Sequence, residues 1–103
     1  MNVDELDQYI KSNCRAYNIF IEKAREEQND KNSRRQPKKR FNSEKVERES
    51  QKMWEAVIAN LHSNLQSDKS LKRGAAIRWI AFMNENNILE SFEDSMGELE
   101  LSE

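Results

Sequence analysis

Between Val46 and Leu65 the apolar residues Val46, Met53, Trp54, Val57, Ile58, Leu61 and Leu65 fall on one helical face, with Lys45, Arg48, Lys52 and Glu55 opposite. A stripe this long has to be buried against other helices, because the chain offers no alternating apolar–polar pattern from which to build a sheet. Ser43 reads as the N-cap of this helix and Glu44 as a favourable charge in its first turn.

Upstream, Val3, Leu6, Ile10, Tyr17, Phe20 and Ala24 recur at three- and four-residue spacing, with Cys14 near the gap, and predict a first helix over about 3–28. Downstream, nine of the 13 residues from Leu71 to Met83 are apolar, which predicts a third helix over about 70–86. Asp68 or Ser70 is expected to cap it. Leu71, Ala75, Trp79 and Phe82 share the face expected to meet the second helix. Gly74, Ile77 and Ala81 point away, so neighbours are expected on two sides. Asn86 and Asn87 suit the left-handed conformation that ends helices. A short C-terminal helix over about 88–96 then joins Ile88, Leu89, Phe92 and Met96, with Gly97 expected to end it. The expected class is all-α: a small bundle of three main helices (3–28, 43–66, 70–86) and a short fourth. One domain over 1–97, with a mobile basic loop at about 29–42 and an acidic tail at 98–103, fits a chain of 103 residues.

Charge is distributed unevenly. Residues 31–52 carry nine Lys or Arg against three Asp or Glu, whereas residues 88–103 carry six acids and no base. Such polarity steers a molecule toward charged partners, or folds its tail onto its own basic segment. Arg34, Arg35, Lys38, Lys39 and Arg40 crowd around the lone proline, Pro37, and continue through Lys45, Arg48 and Lys52. Mutual repulsion in such a cluster is relieved by an anion, so these eight residues are the candidate nucleic-acid or anion contacts, with Phe41 as a stacking ring. The plain alternative is a solvated connector. "PKKR" also matches a short nuclear-import pattern, should the host cell have a nucleus.

Catalytic chemistry finds little to work with. One histidine, His62, and one cysteine, Cys14, cannot supply a four-ligand zinc site, and there is no glycine-rich phosphate loop or nucleophile elbow. No enzyme activity, cofactor or metal is expected. The second candidate surface, for protein contact, is Arg73, Gly74, Ile77, Arg78 and Ala81, where small residues permit close helix approach.

These features favour a non-catalytic binding or regulatory protein that docks on and modulates a nucleic-acid-handling protein complex. Direct, sequence-tolerant DNA or RNA binding through the basic 34–52 segment is the first alternative. A structural homo-oligomer, from the heptad-like spacing of Val3, Ile10, Tyr17 and Ala24, is the second. An acidic N-terminus and the lack of a long apolar run lead us to expect a soluble intracellular protein without membrane contact.

Overall fold

The computed structural model describes residues 1–72 and 74–101. Among these, all regular structure is helical: α1 (Val3–Asn13), α2 (Ala16–Ser33), α3 (Ser43–Gln66), α4 (Ala76–Glu85) and α5 (Ile88–Glu98), with a short 3-10 turn at Pro37–Lys39. None of these helices is long and apolar enough to cross a membrane. The molecule is a rod of 51 × 23 × 22 Å.

The expected first helix is two. Cys14 is extended (φ −153°, ψ 177°), and the backbone bends there before α2 begins. Groups at the bend find partners within and outside the helical ladder. Cys14 N–H still reaches the Ile10 carbonyl at 3.1 Å, Asn13 donates its side-chain amide to the Tyr9 carbonyl at 2.8 Å, and Arg15 N–H donates to Glu93 of α5 at 2.6 Å. At the other end Asn2 and Glu5 form a reciprocal capping box, at 2.8 and 3.0 Å.

The bend lets α1 and α2 follow the whole length of α3 in antiparallel order. Trp54 Nε1 donates to Asp7 at 2.7 Å, Gln51 to the Tyr17 hydroxyl at 2.6 Å, and Arg25 grips Glu47 through two bonds of 2.7 Å. Trp54 is the hub of the core at 1% exposure, with Tyr17, Phe20 and Phe92 ring centroids 5.1 to 6.1 Å away. Helix α3 keeps its expected bounds, but its cap is Asn42 rather than Ser43: Asn42 Oδ1 accepts the Lys45 N–H at 2.8 Å.

Helix α4 starts six residues later than the apolar run suggests. Asp68 Oδ1 accepts the Ser70 N–H at 2.9 Å and the Ser70 hydroxyl as well, so its side chain holds a turn instead of capping a helix. Leu71 is nevertheless in the core, and its carbonyl accepts Trp79 Nε1 at 3.1 Å. Trp79 stacks on His62 of α3 at 5.0 Å, while α4 lies mainly on α5. Ala75 is exposed and is not part of the core face.

Asn87 takes the left-handed conformation (φ 52°, ψ 39°) at the α4–α5 junction. Gly97 does not end α5, which runs on through Glu98 with no positive-φ glycine. The cap comes from α2 instead. Lys23 Nζ donates to the carbonyls of Met96, Gly97 and Leu99 at 2.7–2.8 Å, satisfying groups that a helix terminus leaves without partners.

Candidate interaction surfaces

The basic segment has a defined frame. Helix α2 extends through Ser33, beyond its expected end, and the chain turns back into α3 through Pro37–Lys39. Asn32 joins the two arms. Its amide nitrogen donates to the Phe41 carbonyl at 2.9 Å, and its oxygen accepts the Phe41 N–H at 2.7 Å, so one side chain stands in for a pair of peptide bonds. Arg35 donates to the same oxygen at 3.2 Å. Arg40 donates to the Arg35 carbonyl at 3.2 Å and to the Ser33 carbonyl at 3.4 Å.

Three of the eight candidate cations therefore build the turn. Arg35 and Lys45 lie over the Phe41 ring, at 3.9 and 4.0 Å from its centroid, and Arg40 ties the backbone. Phe41 is half-buried beneath two cations, so a nucleobase could stack on it only by displacing one of them. Arg34 pairs with Asp30 at 2.9 Å and Lys52 with Glu49 at 3.5 Å, both exposed and solvent-screened. Lys38, Lys39 and Arg48 are exposed and have no carboxylate partner among the described residues. Lys45, Arg48 and Lys52, spaced by three and four residues, share one face of α3.

The acidic C-terminal segment does not reach this turn within the described residues. Leu99 and Leu101 pack against the core, and with Glu100 they line a shallow hollow beside Lys23, Glu26, Glu27 and Asp30 of α2. The tail thus lies beside carboxylates. The outer face of α5 carries Glu90, Asp94 and Glu98, all exposed.

The second candidate surface lies on and before α4. Arg73 falls outside the described residues. Gly74 is half-buried, whereas Ile77, Arg78 and Ala81 are exposed. Ile77 is 74% exposed; the other exposed large hydrophobic among the described residues, Val3, stands at 37%. The expected packing of Ile77 and Ala81 against a second neighbour does not occur; α5 is the main support of α4.

The residues nearest to chemistry have structural work. His62 is stacked on Trp79, and its Nε2 lies 2.9 Å from the Met1 carbonyl, to which it donates. Burial pushes the Cys14 thiol up, and its sulfur donates to the Ile10 carbonyl at 3.5 Å. Among the described residues, no group of three or more His, Cys, Asp or Glu is placed to hold a metal ion. Of the heptad-like stripe of α1 and α2, Ile10 and Ala24 are fully buried in the chain's own core and Tyr17 packs on Trp54, whereas Val3 is exposed.

Sequence reasoning missed Asn32, Asn42 and Lys23. Asn32 and Asn42 sit in a polar stretch and Lys23 between the core residues Ile21 and Ala24, and only the backbone that each one meets in the fold reveals its role. No family model matches the chain, and no curated protein or solved structure is significantly similar to it.

Proposed function

We propose that the protein is a non-catalytic binding protein that docks on and modulates a nucleic-acid-handling protein complex through a helical surface and its polarised charge. The observation that carries this reading is Ile77, a large apolar side chain 74% exposed beside Arg78 on a helix whose opposite face is core. An apolar residue next to an arginine on a supported helix suits the centre of a protein interface. The basic turn and the acidic face of α5 supply steering toward a partner that carries, or competes for, phosphate charge. A half-buried thiol bonded to the Ile10 carbonyl and a histidine committed to packing support a role without catalysis.

The test is capture from the host with a tagged chain in the presence of nuclease. A defined protein partner is expected, and Ile77→Asp should lose it while keeping wild-type helicity and melting temperature. Equal capture by Ile77→Asp would contradict docking through α4.

Direct nucleic-acid binding is the second reading, favoured by Lys38, Lys39 and Arg48, which lack carboxylate partners among the described residues. Such binding rests on phosphate neutralisation, weakens steeply with salt and does not involve Ile77.

A further inference from the structure

Two hollows flank Arg78, and they differ in character. The first, about 400 Å³, is lined by Lys69, Ser70, Gly74, Ala75 and Arg78: two cations and no carboxylate. The nearby acid, Asp68, is turned onto the Ser70 N–H and hydroxyl. A Cβ at Gly74 would stand 3.2 Å from the Ser70 carbonyl oxygen and 3.4 Å from Arg78 Cβ, so the glycine lets the start of α4 lie close to the turn below it. The second hollow, about 230 Å³, shares Ser70 and Arg78 but adds Leu71, Ala81, Phe82 and Glu85. Lys69 and Arg78 form no ion pair among the described residues, and Ile77 and Ala81 sit one turn apart on the exposed side of α4.

We infer that this face receives an acidic amphipathic helix of a partner protein. A carboxylate enters the hollow between Lys69 and Arg78, and an apolar side chain, three or four residues away, covers Ile77 and Ala81. The inference rests on the docking reading above and adds the chemistry of the docked segment. Charge complementarity selects an anion, and the apolar surface beside the cations selects a peptide over a nucleic-acid backbone, whose phosphates have nothing to place on Ile77. The α5 helix of a second copy is a poor fit. Its free acidic face, Glu90, Asp94 and Glu98 of α5, has no large apolar side chain among those carboxylates, because Leu89, Phe92 and Met96 face its own core.

The experiment is fluorescence anisotropy of a short labelled synthetic helix with Glu and Leu at three- and four-residue spacing, titrated with the full chain at low and physiological salt. Binding is expected, and Lys69→Glu with Arg78→Glu, or Ile77→Asp alone, should weaken it ~10-fold or more. Peptides with Gln for Glu, or Ala for Leu, should lose a similar factor. All altered positions in the protein are at the surface, and circular dichroism checks that each variant folds. Absence of binding, or affinity unchanged in both protein variants, overturns the inference. So does a labelled single-stranded DNA that displaces the peptide from this face and still binds Ile77→Asp, which would make phosphate the occupant. If the peptide fails while capture from the host still depends on Ile77, only the inferred chemistry falls; if capture also becomes independent of Ile77, the docking reading falls with it.

Discussion

Asn32 shows how one uncharged side chain organises a crowd of charges. By bonding both backbone groups of Phe41 it closes the α2–α3 turn, and Arg35, Arg40 and Lys45 are then spent on the same frame. Nothing in "DKNSRRQ" distinguishes Asn32 from any other polar loop residue, since its partner is nine positions away. Trp54 was legible for the opposite reason: an indole in a continuous apolar stripe has few places to go but the core. Glu47 offers a quantitative test at this scale. The Arg25 guanidinium, aided by Gln51, lowers its carboxyl from 4.5 to about 2. A depressed carboxylate contributes its stability above the unfolded value and loses it as pH falls toward the folded one. Both side chains are close to half exposed, so solvent screening keeps the pair to ~0.5 kcal/mol. A double-mutant cycle with Arg25→Met and Glu47→Gln should show that coupling near neutral pH and its decline between pH 4.5 and about 2. Coupling that stays constant across that window would contradict the assignment.

At the scale of elements, the span of helix α3 was readable because its apolar stripe is long and flanked by polar residues, although its cap proved to be Asn42 rather than Ser43. The division between α1 and α2 was not. The apolar rhythm runs from Ile10 to Tyr17 as if the helix continued, and the carboxylate that accepts the Arg15 N–H at the break, Glu93, lies some eighty residues away. Helix α4 began late for a local reason, the competing turn at Asp68, whereas α5 ended late for a distant one, the ammonium of Lys23. Lys23→Met keeps most of the stem but removes three charge-assisted hydrogen bonds. It should cost ~1–2 kcal/mol and speed amide exchange over the last turn of α5 and Leu99. Unchanged exchange there would show that the tail is held by Leu99 and Leu101 alone.

Taken whole, the molecule is a rod in which α1, α2, α3 and α5 enclose the aromatic core and α4 rides on the bundle with one face uncovered. The all-helical class followed from helical periodicity and the lack of an alternating apolar–polar pattern. The exposure of Ile77 was left open, because a helix apolar nearly all round is expected to have neighbours on two sides, yet Ile77 also stood among the candidate protein contacts. Seen in three dimensions, the two candidate surfaces differ in kind: the basic turn uses three of its cations to hold itself together, whereas the α4 face combines apolar area with cations that form no ion pair among the described residues. The most direct test is hydrogen–deuterium exchange of the full chain, free and bound to the partner captured from its host. Protection is expected to concentrate in residues 69–85, with the α2–α3 turn changed little. Protection confined to residues 34–52, with α4 exchanging as in the free protein, would contradict it and make the basic turn the binding surface.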